Sequence, residues 1–454
     1  MIRFRPVLMW LFFGVLVTAN VSKWFLDLGM RVPFHLPLLA ILTLLVAMQV
    51  GLRRWSFPKP LFMLAVIKCA PVVAIVMTIP VMMVERQSDL WMFTKGLIHE
   101  CIGTAGIIAI LVFVASMDAD ERKRAVTLYL AAIALCSTFT VAEAIGAYGL
   151  GIDLDRIVTA FVPLWSGDPP SIDEDTWGFG GRMFYRFSGL TADPNLNAIT
   201  FLLAIPILYA QEHRRWAVLR AGLAAVWFLI IFSSVSTTAV PLALVMVLAL
   251  SAQHIRRSKR LVAVTVVSLF AVIAYFWNLE SEAITHIIGI KLDPSGSLSS
   301  HLTIAGNSLA LWLQHPMGVG PNNFAVYSSD FSTHNSYLGV LVETGPLGVV
   351  AIVAPFVYGL IICRRARTKL ASAVALSLAA LALSGMGHDV ARRFEFQLVL
   401  FFLLAVVSMD SRPAPTQPSD LSLGARRSRG RLGARRDTWV AGVTSRHGSA
   451  FQRS

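Results

Sequence analysis

GLIHECIGTAGIIAILVFVASM, residues 96–117, runs directly into DADERKR, residues 118–124. The apolar run matches the ~20 residues that a helix needs to cross the hydrocarbon core, and its charged end marks an arrival at water. Runs of this kind recur on both sides of it. They fall at approximately 6–22, 36–52, 60–84, 96–117, 125–150, 195–211, 216–235, 238–253, 261–278, 335–362, 370–386 and 394–409. The chain as a whole agrees with them: of 454 residues 56% are hydrophobic and 14% charged, with a mean hydropathy of +0.66. A soluble domain carries roughly a quarter charged residues, which excludes a soluble globular enzyme. With 27 Phe and 11 Trp and no short repeat, the chain is not disordered or fibrous either. The reading is an all-α polytopic integral membrane protein of about twelve transmembrane helices with two long external loops. Met1–Pro6 and the apolar run after it resemble a signal peptide, but no small-residue cleavage site follows, so this run is the expected first span. Pro71, Pro80 and Pro241 are expected to kink the third and eighth spans.

Lys and Arg set the orientation, because they are retained on the cytoplasmic side while acidic residues count for little. With both termini inside, the cytoplasmic connections hold Arg53, Arg54 and Lys59, the cluster 122–124, Arg214, Arg215 and Arg220, the cluster 256–260, and Arg364, Arg365, Arg367 and Lys369. The net charge of +13 is then a topological signal plus a tail. Two units are expected: a membrane domain over 1–409 and a basic, disordered cytoplasmic tail over 410–454 with affinity for anionic lipid headgroups. No aromatic stacking platform accompanies the tail's arginines, so no nucleic-acid partner is expected. Cys69, Cys101, Cys136 and Cys363 form no CxxC pair and have no histidine at metal-ligand spacing, so neither a metal nor a cofactor is predicted.

Two external connections are long, 151–194 and 279–334, and long loops carry function more often than short ones. The first passes from an acidic run, Asp168 and Asp173 to Asp175, into GGRMFYRFSGLTADPN, residues 180–195, which brings in Arg182 and Arg186. Asp193 and Asn195 read there as helix-start residues. The second contains HPMGVGPNNF, residues 315–324, and ends in STHNSYLGVLVETGPLGVV, residues 332–350. If the tenth span begins at Asn335, His334 sits at a helix N-terminus, where the dipole favours anions and a neutral imidazole is available as a general base. Glu343 lies nine residues further on, about 13 Å into the helix, where a carboxylate needs an interior partner. Its expected role is structural, by bonding backbone at a helix contact. Lys68, His99 and Glu100 are intramembrane polar groups, expected to pair internally; a proton relay is the competing reading. For Arg182 and Arg186, pairing with the acidic run of their own loop competes with a binding role.

HNSYLGVLVETGPLG, residues 334–348, resembles the signature of the bacterial O-antigen ligase and polysaccharide polymerase superfamily. RFSGLTADPN, residues 186–195, and HPMGVGPNNF are similar to two further elements of that superfamily, in the same order and on the same external side. The resemblance implies a metal-independent, inverting glycosyltransferase of the bacterial inner membrane, acting at the periplasmic face. The implied donor is a glycan on undecaprenyl diphosphate, and the acceptor is a lipid A-core saccharide in a ligase or a second lipid-linked glycan in a polymerase. It implies His334 as the base, Arg186 and Arg182 on the diphosphate leaving group, and substrate contacts from Asn335, Glu343 and His301. The chain departs from the pattern in one place. The family's arginine ahead of the Trp-containing helix is replaced in SSHLTIAGNSLALW, residues 299–312, by His301, and Lys291, Arg392 or Arg393 are the other sources of that charge. A transporter or flippase is the competing class. It calls for an inverted repeat with paired broken helices, and none is visible.

Overall fold

The computed structural model of the protein describes residues 4–21, 25–27, 31–51, 57–84, 89–152, 154, 157–158, 176–179, 182–185, 187–191, 193–211, 216–234, 236, 238–255, 297–328 and 333–411. The expected ninth span, 261–278, lies outside these residues, as does nearly all of the expected tail. From the N-terminus come α1 (Phe4–Ala19), the antiparallel hairpin β1 (Phe25–Asp27) and β2 (Arg31–Pro33), then α2 (His35–Gly51), α3 (Lys59–Val76), α4 (Ile79–Val84), α5 (Leu90–Ser116) and α6 (Ala119–Ile145). A second hairpin, β3 (Thr176–Phe179) with β4 (Arg182–Tyr185), precedes α7 (Pro194–Ala210), α8 (Ala217–Ser233) and α9 (Ala239–Ile255). The last elements are α10 (Ser297–Gln314), the one-turn α11 (Phe324–Tyr327), α12 (Ser336–Ala366), α13 (Lys369–Gly387) and α14 (Phe394–Asp410).

The architecture is helical, with the two hairpins as a small addition to the expected all-α fold. Gly180 and Gly181, between two short runs rich in aromatic residues, are the local signal for the second hairpin. Among the described residues five helical segments are long and apolar enough to cross a membrane: Lys59–Val84, Leu90–Ser116, Ala119–Ile145, Ser336–Ala366 and Lys369–Gly387. Five shorter apolar helices accompany them.

Caps explain where the boundaries moved from those the hydropathy suggests. α5 begins at Leu90 because Asp89 accepts from the amides of Trp91 and Met92, which draws Lys95 and His99 into the helix. α6 begins at Ala119 because Asp118 and Glu121 form a reciprocal capping box. The Glu121 amide holds the Asp118 carboxyl below the usual carboxylate range. The cap's contribution is therefore complete above the unfolded pKa and is lost as pH falls through the lower folded value. Of the expected kinks in the third span, the break falls at Met77 and Thr78, between α3 and α4, where Pro80 has no N–H to offer the Val76 carbonyl.

α7 and α14 form the interior, each buried over most of its length. Both are apolar all round, as helices enclosed by other helices are. At one end of the bundle Arg5 pairs with Glu121 at 2.8 Å and Arg122 with Asp410 at 2.7 Å. In the interior, Lys68 of α3 donates to Glu100 of α5 and, at 2.6 Å, to Oε1 of Gln397 of α14. The Gln397 amide in turn donates at 3.3 Å to the carbonyls of Ala391 and Arg392. This is the internal pairing expected for Lys68 and Glu100. Glu100→Ala leaves the buried Lys68 ammonium without a counter-charge, with the neutral Gln397 carbonyl still accepting from it, and is expected to cost about 3 kcal/mol. Lys68→Met combined with Glu100→Leu is expected to regain most of that loss, measured by thermal unfolding in detergent.

Candidate active site

The site is built around a break in α12. Gly345 has φ 67° and ψ −168°, outside the helical region, and Pro346 follows it without an N–H. The carbonyls of Val342 and Glu343 thereby lose their helical partners, and inside a membrane such groups must be satisfied by protein. The HPMGVGPNN loop between α10 and α11 supplies the donors: the Val319 amide bonds the Val342 carbonyl at 2.9 Å and the Gly320 amide bonds the Glu343 carbonyl at 2.8 Å. Gly318 and Gly320, at φ 91° and 89°, hold conformations that L side chains rarely adopt. A Cβ on Gly318 would lie 2.5 Å from the Glu343 carbonyl oxygen. On its other side the loop rests against α5. A Cβ on Gly96 would meet Asn322 and Pro321, and the Asn323 side-chain carbonyl accepts from the Asp89 amide at 2.8 Å.

The segment leading into α12 is fastened to the connection between α13 and α14. Asn335 is the N-cap, accepting from the amides of Tyr337 and Leu338, while its Nδ2 donates to the Met386 carbonyl at 2.9 Å. Ser336 donates to the His388 carbonyl and accepts from the Ala391 amide, and the Tyr337 hydroxyl donates to the Ala382 carbonyl. His334 precedes this cap by one residue. It is exposed, and its φ of 49° is left-handed. The helix begins at Ser336, so His334 stands just ahead of the N-terminus and not within it.

The same connection delivers Arg392. Its Nη1 lies 2.7 Å from the Glu343 carboxylate and its Nε 2.6 Å from Asp389. Burial works against the Arg392 charge, but the two carboxylates more than offset this and raise its pKa, so it is a fixed cation. Arg392 and Thr333 approach the same side of Gly339, where a Cβ would be 3.8 Å and 2.9 Å from them. His334 follows Thr333 in the chain. Glu343, Asp389, Arg392 and Arg393 line a cavity of about 450 Å³ together with His35, Lys95 and His99; His334 is not among the residues that line it.

Of the expected site residues the structure places Glu343 at the cavity, while His334 and Asn335 stand at the start of α12, outside the cavity lining. Glu343 pairs with Arg392, and its own carbonyl accepts from the Gly320 amide. Asn335 commits its amide to the cap and to Met386. Arg182 lies on β4 and His301 in the second turn of α10. Arg186 and Lys291 lie outside the described residues. Arg392 is engaged on both edges by carboxylates, and Arg393 has the longer pairing, 3.3 Å to Glu395. Sequence reasoning missed Asp389, Lys95 and His35. Lys95 stands one helical turn before His99, a spacing readable in advance once the helix start is known. His35 has no signal beyond being a polar residue at the start of an apolar run.

The family model described as O-antigen ligase matches residues 219–353, which run from α8 to the middle of α12 and include HPMGVGPNNF and His334. No curated protein matches the chain.

Proposed function

From a chain whose residues 219–353 belong to the O-antigen ligase family, we propose a glycosyltransferase that moves a glycan from undecaprenyl diphosphate to an acceptor saccharide at the periplasmic face of the bacterial inner membrane. In the proposed topology, twelve spans with both termini in the cytoplasm, the His334 end of the bundle lies at that face. His334 accepts the proton of the acceptor hydroxyl as its oxygen attacks the anomeric carbon. The bond from that carbon to the diphosphate oxygen breaks, the electron pair leaves with undecaprenyl diphosphate, and the configuration inverts. Arg186 carries the developing negative charge on the diphosphate, with Arg182 and His301 as further contacts. No metal takes part in this scheme. Asn335 and Glu343 serve it by position: the first orients the backbone at His334 and the second holds Arg392.

One observation carries this reading. A glycine loop that caps a broken helix and a fixed arginine border one cavity, and Thr333, the residue before a left-handed histidine, packs against Gly339 beside that arginine. The test is transfer by the purified protein in lipid nanodiscs, with an undecaprenyl-diphosphate oligosaccharide as donor, with and without lipid A-core. Extension of lipid A-core marks a ligase, and growth of the lipid-linked glycan marks a polymerase. Absence of both products removes the proposal.

A further inference from the structure

The cavity has a wall that the transfer scheme leaves unused. Every carboxylate lining it already faces a cation: Glu100 faces Lys68, Glu343 and Asp389 face Arg392, and Glu395 faces Arg393. To the same lining α5 adds Lys95 and, four residues on, His99, both exposed. Among the described residues Lys95 makes no hydrogen bond and no ion pair. Beside them stands His35, at the start of α2, 6% exposed, with neither ring nitrogen bonded to any described residue. Its ring is stacked flat on Phe394, with centroids 5.1 Å apart and planes 6° apart, so its orientation is fixed by packing and not by a polar partner. Buried polar side chains almost always have a partner, and this imidazole, fixed beside the cavity with both nitrogens closed off from solvent, has none among the described residues.

We propose that Lys95, His99 and His35 form an oxyanion subsite, which holds a phosphate or carboxylate group of the substrate in the cavity that Arg392 also lines. The ammonium supplies charge, and the imidazoles supply N–H donors at fixed positions. Gly96, next to Lys95 on α5, admits the HPMGVG loop and so joins this wall to the one that carries Glu343 and Arg392. The inference rests on the transfer reading and extends it. Two parts of such a substrate carry this chemistry, the diphosphate of the lipid donor and the carboxylate of an acidic sugar.

The test is direct binding to the full-length protein in nanodiscs, with two probes: undecaprenyl diphosphate, and a uronic-acid oligosaccharide free of phosphate. Lys95→Met is expected to weaken one probe by about tenfold, as the loss of one charge-assisted hydrogen bond does, and Lys95→Arg to restore it. His35→Phe preserves the stack on Phe394 and is expected to weaken the same probe. The probe affected identifies the source of the oxyanion. Unchanged affinity for both probes in Lys95→Met and His35→Phe overturns the subsite. So does failure of both probes to bind the unsubstituted protein. Transfer measured in parallel separates the two ideas: transfer with an unaffected Lys95→Met protein removes the subsite alone, whereas absence of transfer removes the reading beneath it.

Discussion

His334→Ala is expected to lower glycan transfer by about 10²–10⁴-fold, the range that one positioned general base contributes, with the protein still inserted and folded. The side chain is exposed and outside the helix, so little packing is lost with it. His334→Gly sharpens the test. A φ of 49° is unfavourable for a side chain and free for glycine, so this variant is expected to keep or slightly raise the unfolding midpoint while losing the same activity. Activity and stability then move in opposite directions, which a histidine serving only as an interfacial or capping residue does not produce. Transfer within twofold of the unsubstituted protein in either variant assigns the proton to another group.

Gly318→Ala is expected to have the largest effect on folding of any single methyl group added near the site. The new carbon would lie 2.5 Å from the Glu343 carbonyl oxygen and 2.7 Å from the Thr344 nitrogen, both backbone atoms that cannot rotate away. The position also has φ 91°. Backbone strain and overpacking each cost about 1–3 kcal/mol, so a combined loss of about 3 kcal/mol or more is expected. The loop is then pushed off α12, and the carbonyls of Val342 and Glu343 lose the Val319 and Gly320 amides. Membrane levels and the unfolding midpoint in detergent are the measurements. Ala substitution at Gly222 or Gly306, where a Cβ meets nothing within 4 Å, is the control and is expected to be nearly neutral. Equal behaviour of Gly318→Ala and these controls contradicts the docking of the loop on the broken helix.

Much of the site was legible as motifs, and much less of it as geometry. HPMGVGPNNF, HNSYLG and ETGPLG stand out as unlike the apolar runs around them, and the glycines are where the backbone takes positive φ or another chain comes close. That the first motif caps the break inside the third was not visible, because the bond between the Val319 amide and the Val342 carbonyl joins residues whose only shared property is a backbone group. Arg392 was visible as a charge in a connection between two spans, but its engagement by Glu343 and Asp389 depends on how α12 meets the loop before α14.

The sequence by itself determined that the chain is a helical membrane protein, where most of its helices lie, and which segments stand out as motifs among the apolar runs. Those properties are local: apolar length, caps, prolines and the count of Lys and Arg act within a few residues or a single connection. Only the tertiary structure decided which polar groups are already satisfied and which are left over. That depends on distances between helices remote in the chain, as with Lys68, Glu100 and Gln397. The unpartnered ring of His35, stacked on Phe394 and set beside Lys95, is of the same kind: pairing inside an apolar medium is a property of the assembled bundle, and no window of sequence contains it.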